Sequence, residues 1–294
     1  MRGRPDCPHC AGAGVILDPD PMRPARVCPC TRDLRAEALT PELPGRYREA
    51  SFATFWKWWS KEYATGQISR IVGGMEDLKA ALAGPSDDVV AELPQRDRLE
   101  KLLAAAEKNL EHGVRPLGAE DLHTWATKGR HRFRGGWELW WIHGAVQSGK
   151  TTLAAAALRA WSERTGQAGR FVSVRTLSQQ VKNTYFDTRS WQNQDFMSVR
   201  DLLDPLKNQP LLLLDEWDLL DPDSRVAAAF GELLTHRYHE GLPTLLTSVL
   251  PPEGLSQREN YAPARLGDAS LLRRLEGAER VVMTPALAWW LDRL

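Results

Sequence analysis

The chain carries no net charge, because 38 Lys and Arg balance 38 Asp and Glu over 294 residues. Attraction to a polyanion therefore cannot come from the molecule as a whole. Any contact with nucleic acid has to come from a local patch. There is no apolar run long enough to span a bilayer, and the first ten residues, MRGRPDCPHC, lack the apolar stretch of a secretory signal. A soluble, cytoplasmic protein with no membrane partner is expected. Cysteine is scarce: four residues, all within the first thirty. That excludes a disulfide framework for the rest of the chain, and in a reducing compartment such thiols more often hold metal. No internal repeat and no long low-complexity tract is found. What is present is ordinary core material, 43% hydrophobic residues with as many as 12 Trp, over a length that suggests about two domains.

The cysteines form two close pairs, Cys7-Pro8-His9-Cys10 and Cys28-Pro29-Cys30. Their spacing approximates a four-thiolate zinc site, in which two tight turns each supply two corners of a tetrahedron. The second pair is C-x-C rather than C-x-x-C, so His9 stands as an alternative ligand. Gly12, Gly14, Pro19, Pro21 and Pro24 make this segment too turn-rich for an apolar core, and metal would supply its folding energy. A closed site of this kind is structural and suits docking. The competing reading is four free thiols in a disordered tail.

The strongest pattern is Gly144-Ala145-Val146-Gln147-Ser148-Gly149-Lys150-Thr151, which satisfies G-x-x-x-x-G-K-[ST] at every specified position. Glycines let backbone N–H groups turn inward on phosphate oxygens. Lys150 can reach the β- and γ-phosphates, and the Thr151 hydroxyl can ligate Mg2+. Trp137 to Ile142 reads as the strand before the loop and Thr152 to Arg164 as the helix after it. A strand, a glycine loop and a helix N-terminus make an anion site. Downstream, Pro210 to Glu216 reads as a buried parallel strand ending on Asp215, for Mg2+, and Glu216, for the attacking water. Arg170 to Val174, Leu242 to Val249 and Arg280 to Met283 read as further strands. Leu177 to Tyr185, Leu202 to Lys207 and the stretch from Pro222 to about Glu240 read as helices. Thr247-Ser248 would place a hydroxyl near the γ-phosphate, unless these are plain strand-end hydroxyls. Arg273 and Arg274 sit on a helix from which one could reach a neighbouring copy's nucleotide, or merely pair on the surface.

Other stretches leave two readings open. Arg46 to Phe55, with Trp56, Trp58 and Trp59, either stacks on bases or packs on the nucleotide domain. Arg96 to Glu111 carries a leucine stripe and reads as one arm of a helical hairpin. Thr31 to Ala38 reads as a short helix, and Phe186 to Phe196 as an exposed connection. Lys128 to Gly136 is the densest basic run, contacting phosphates or lying in solvent.

With these motifs in place, the chain resembles helicase loaders of the DnaC/DnaI type and their IstB-like transposition relatives, within the AAA+ ATPases. The resemblance rests on Leu43-Pro44-x-Arg46-Tyr47 with Phe52, the GAVQSGKT loop and Phe171-Val172-Ser173-Val174 with Lys182-Asn183-Thr184-Tyr185. It continues through LLLLDE, Arg237-Tyr238, Leu242-Pro243-Thr244 with Leu246-Thr247-Ser248, and LLRRL. It covers Leu43 to Phe55 and Trp137 to the C-terminus. It implies an α/β fold: a P-loop AAA+ domain over 137–294, with a five-stranded parallel sheet and no C-terminal lid. Ahead of it would come a zinc-binding module over 1–40 and a linker with helical insert over 41–136. It implies ATP held by Gly144, Ala145, Gln147, Ser148, Gly149, Lys150, Thr151 and Thr152. Mg2+ would lie on Thr151 and Asp215, and Zn2+ on Cys7, Cys10, Cys28 and Cys30. Catalysis would fall to Lys150, Asp215, Glu216, Ser248 and Arg274, with Arg274 as the trans-acting finger. The implied partners are a DnaB-type replicative helicase, single-stranded DNA and further copies in a ring or spiral.

Three positions depart from the family. Val249 stands where Asn usually follows Thr-Ser. Glu216 stands where many loaders carry Asp, which points to competent hydrolysis. The stretch from Lys57 to Gly136 is far longer than usual. The rival functions are a transposition helper coating duplex DNA, a P-loop small-molecule kinase and a nucleotide-dependent adaptor without turnover.

Overall fold

The computed structural model describes residues 5–16, 26–28, 30–31, 38–59, 76, 115–133, 136–186, 198–252 and 269–285. The expected helix over Arg96 to Glu111, most of the one over Thr31 to Ala38, the connection after Phe186 and the question of a C-terminal lid lie outside these residues.

The strands are β1 (Val15–Ile16), β2 (Arg26–Val27), β3 (Pro116–Leu117), β4 (Leu139–His143), β5 (Gly169–Ser173), β6 (Leu211–Asp215), β7 (Thr244–Ser248) and β8 (Glu279–Pro285). The α-helices are α1 (Phe52–Trp58), α2 (Ala119–Lys128), α3 (Lys150–Thr165), α4 (Val174–Phe186), α5 (Val199–Lys207), α6 (Ser224–His239) and α7 (Ala269–Glu276). β1 and β2 form a small antiparallel hairpin. The other six strands form one sheet in the order β3-β8-β4-β7-β6-β5. From β8 to β5 every pairing is parallel, and β3 alone is antiparallel, on β8. The expected five-stranded parallel sheet is therefore the core of a six-stranded one. The sixth strand comes from a two-residue stretch that carries no period of its own.

The continuous apolar runs fit a sheet covered on both faces, because successive residues of a strand point to opposite sides. Leu139 and Trp141 of β4, Leu212 and Leu214 of β6 and Leu246 of β7 pack on one face with α4, α5 and α6. Trp140, Ile142, Leu211, Leu213 and Leu245 pack on the other with α1, α2 and α3. Phe52, Phe55, Trp59 and Trp125, all preceding the P-loop strand, are buried in that second core. Of the two readings of the aromatic segment, packing describes these residues.

Local signals set the helix limits. Ser51 and Thr54 form a reciprocal capping box on α1, and Ser198 and Asp201 form another on α5. Asp223 caps α6. α3 ends on Gly166 in the left-handed region. Arg237 of α6 is fully buried. It donates to the carbonyls of Leu206, Lys207, Gln209 and Pro243 and to the Thr244 hydroxyl, tying α6 to the end of α5 and to the entry of β7.

Candidate nucleotide and metal sites

Two strands deliver the phosphate-loop chemistry. β4 ends at His143, and the loop from Gly144 to Gly149 carries the chain into α3. The loop needs positive φ at Gly144 (147°), Gln147 (63°) and Gly149 (84°). A side chain at Gly144 would meet Met283 Cβ at 2.7 Å, and one at Gly149 would meet the Trp58 ring at 2.6 Å.

The N-terminus of α3 differs from its neighbours. Gly149 offers no side-chain acceptor and the first turn has no acidic residue, whereas α1, α5 and α6 are capped by their own side chains. The first amides of α3 carry the positive end of the helix dipole without an internal counter-charge, which suits an external anion. Ser148 is fully buried with its hydroxyl unpartnered among the described residues. Lys150 Nζ donates to the carbonyls of Gly144 (2.9 Å) and Ala145 (2.7 Å). It therefore lies across the loop it would leave on gripping a phosphate. Burial pulls its pKa down, Asp218, Asp215 and Glu216 push it back up, and a bound anion would favour its charge further. The donor set fits a triphosphate.

The carboxylates come from β6. β7 lies between β4 and β6, and its register sets Ile142 beside Thr247 and Leu214 beside Leu246. The hydroxyl at the tip of β7 thus falls between the phosphate loop and the carboxylates. Asp215 Oδ1 accepts from Thr151 Oγ1 (2.8 Å) and from Thr247 Oγ1 (2.6 Å), and Thr247 Oγ1 accepts from the Glu216 N–H (2.9 Å). Thr151 and Asp215, 64 positions apart in sequence, are thereby joined as a hard oxygen pair that fits Mg2+. Bound there, Mg2+ would neutralise phosphate charge. Burial raises the Asp215 pKa. Glu216 is exposed and left-handed (φ 60°), a conformation that costs about 1–3 kcal/mol in a non-glycine residue and turns its carboxylate out of the strand line. Burial, then Asp215 and Asp218, raise its pKa.

Ser248 is fully buried, and its hydroxyl accepts from the Leu250 N–H (3.1 Å). Thr247, not Ser248, meets the Asp215 carboxylate. Ala145 is exposed on the loop and Thr152 half-buried in the first turn of α3. Arg274 is not brought to Lys150 within one chain. Its guanidinium lies 3.9 Å over the Tyr238 ring, which meets Trp137 edge-on at 5.6 Å. Tyr238 lies just before the entry of β7, away from the strand tips that hold the loop.

The sequence reading left Arg46, Tyr47 and Asp218 out of the site. The Tyr47 hydroxyl contacts that of Thr151, and Arg46 acts electrostatically on Asp215 and Glu216. The Arg170–Glu42 pair (2.7 Å) and the Arg159 bond to Ala50 O (3.1 Å) hold that segment on the core. Asp218 Oδ1 accepts the Val249 N–H (2.8 Å) and supports the charge of Lys150. Arg46 and Tyr47 were visible only as letters of the resemblance motif, and no spacing rule tied them to the loop.

The four cysteines converge on one point. Their Sγ atoms all lie within 4.8 Å of one another, with Cys7–Cys28 at 3.7 Å and Cys10–Cys30 at 3.5 Å. A zinc–sulfur bond of about 2.3 Å gives a tetrahedral edge of about 3.8 Å, so the donor set fits a four-thiolate metal. These separations are too long for disulfides. His9 is exposed and not among the grouped ligands, so the cluster is all-cysteine. The His9 N–H pulls the Cys7 thiol down to about 6, towards thiolate, while burial pushes Cys28 up.

No family model and no curated protein matches the chain. It is similar to several solved structures. DnaI is 20% identical, covering 70% of this chain and 94% of that one (TM-score 0.44). The DnaC helicase loader is 22% identical, covering 56% and 87% (TM-score 0.41). A putative primosome component from Streptococcus pyogenes is 19% identical, covering 57% and 79% (TM-score 0.43). These are proteins of the kind the sequence resembles. With every TM-score below 0.5, the likeness carries no argument about activity, which has to come from the residues above. No described helix is long and apolar enough to cross a membrane.

Proposed function

We propose that the chain is an ATP-operated loader that docks on a DnaB-type replicative helicase through its cysteine module and assists its placement on single-stranded DNA. The observation that carries this reading is the presence of two prepared sites in one chain. A closed four-thiol cluster stands ahead of a phosphate loop whose Thr151 already meets Asp215. In this account the residues from Gly144 to Thr152 hold ATP, Thr151 and Asp215 hold Mg2+, and Glu216 orients the attacking water. Thr247 keeps the Glu216 amide and the Asp215 carboxylate in register. Arg274 leaves Tyr238 to meet a neighbouring copy's nucleotide, so hydrolysis reports assembly. Zinc on Cys7, Cys10, Cys28 and Cys30 fixes the docking hairpin.

The test is capture of the host's hexameric helicase by the full-length protein, with metal content measured in parallel. Wild type should carry one zinc per chain and retain the helicase. Cys28→Ser should lose both while its nucleotide binding stays within about twofold, since a structural metal folds only its own module. Failure of the wild type to bind any replicative helicase would overturn the loader reading. Long filaments on duplex DNA would favour the transposition helper instead.

A further inference from the structure

The basic run from Lys128 lies far from the phosphate loop. It follows α2, whose C-terminal end meets the C-terminal end of α3, opposite the end of α3 that opens at the loop. Arg164 near the end of α3 donates from Nε to the Ala126 carbonyl (3.0 Å), and a Cβ at Gly129 would meet its Nη1 at 2.8 Å. The run then alternates. His131 and Phe133 turn inward, with ring centroids 4.9 and 5.7 Å from Trp140, and Phe133 also meets Trp125 edge-on at 6.3 Å. His131 Nε2 lies 3.6 Å from Glu279. Lys128, Arg130 and Arg132 point outward and are exposed, as is Arg164. None of the four is in an ion pair with a described residue.

Beside these cations a groove of about 430 Å3 runs between Trp125, Gly129, Arg164, Gln167, Asn208 and Pro243. Glu138 also borders it, with one carboxylate oxygen taken by the Trp125 indole N–H (3.1 Å). Arg164 lines this groove, and Lys128 and Arg130 flank its Gly129 in sequence. A molecule with no net charge that exposes these three together with Arg132 beside one groove has concentrated its positive potential there. Three of the four are arginines, whose planar fork suits phosphate. The groove has the volume of a small-ligand site, which suits one nucleotide of a strand and is too small to enclose a duplex.

We propose that Lys128, Arg130, Arg132 and Arg164, with the adjoining groove, form a docking surface for the phosphate backbone of a single DNA strand, at the end of the sheet opposite the nucleotide. The surface deepens the reading of the chain as a DNA-handling ATPase and rests on it.

The test measures binding of fluorescein-labelled oligo-dT to the full-length protein by anisotropy, between about 50 and about 200 mM salt. The variant is Lys128→Gln with Arg130→Gln and Arg132→Gln. These side chains are exposed, so its thermal unfolding and its DNA-free ATPase rate should match wild type. At about 0.7 per phosphate contact for a single strand, the log–log salt dependence should become shallower by about 2, and affinity at low salt should fall by about tenfold or more. An unchanged slope in a folded variant, with wild type binding DNA, would overturn this surface and leave the DNA-handling reading standing. If wild type bound no strand at all, both would fall. Equal binding of duplex, or equal displacement of the oligonucleotide by oligoglutamate, would overturn the assignment to a single strand.

Discussion

Asp215 is buried at the tip of β6, where two hydroxyls donate to one of its oxygens and burial raises its pKa. The sign of the linked stability follows. A carboxyl with a raised folded pKa favours the fold below its unfolded pKa, and that contribution is lost as pH rises through the folded value. Without nucleotide, Asp215→Asn should therefore melt no lower than wild type at neutral pH. Any advantage should shrink as the pH approaches the carboxylate range, while Mg2+-dependent nucleotide binding is lost. Thermal unfolding at two pH values and Mg2+ titration check this, and a clear loss of stability at neutral pH would contradict it. Glu216 is exposed instead, and its raised pKa should set the acid limb of hydrolysis above the ordinary glutamate range. Glu216→Gln should bind ATP normally and release phosphate at least about a hundredfold more slowly. Phosphate release by wild type and variant at the same background rate would mean that the chain works as a non-hydrolysing adaptor, and equal release above background would mean that it does not use Glu216. At this scale the sequence was informative where a motif fixes residue type and spacing, as for Lys150, Thr151 and Asp215. It was mute on Tyr47, Arg46 and Asp218, whose contacts span the fold. It also could not rank Thr247 against Ser248, because the choice depends on which hydroxyl the β7 register turns toward β6.

Among the elements, α3 and α6 show opposite solutions to a helix end. α3 leaves its N-terminus without side-chain caps, open to the anion proposed above. α6 carries Arg237 in its last turn, and its four carbonyl partners would all lose a donor if it were replaced. At about 1–3 kcal/mol for each buried group left unpaired, Arg237→Met should cost at least about 3 kcal/mol. Chemical denaturation of the variant measures it, and a loss below about 1 kcal/mol would show the guanidinium to be dispensable. The parallel strands and the helices that follow the phosphate loop were legible to within a few residues, since long apolar runs and caps mark them, whereas α1 and α2 were not read as helices. β4 starts at Leu139 rather than Trp137 because the Leu139 N–H turns back on the Trp137 carbonyl (2.8 Å) instead of bonding a neighbouring strand. β3 was not legible: two residues, Pro116 and Leu117, hold no alternation, and only the edge of β8 makes them a strand.

Over the whole molecule, the sheet keeps two groups of side chains apart. The strand tips hold the loop and the carboxylates, and the opposite end holds the basic groove and the approach to Tyr238. Arg274 lies over Tyr238, away from the loop of its own chain, so the proposed trans role requires a second copy for full turnover. Charge balance over the sequence concealed this division, because net charge averages over faces that the fold keeps apart. The most direct test mixes two inactive variants. Lys150→Ala lacks the phosphate grip but keeps its arginine, and Arg274→Ala binds ATP but lacks the trans arginine, whose loss costs about a thousandfold or more. Each alone should hydrolyse ATP near background, and an equimolar mixture should regain activity well above the sum of the two. A mixture no faster than that sum, with both variants folded and able to assemble, would contradict a nucleotide shared between two copies of this chain.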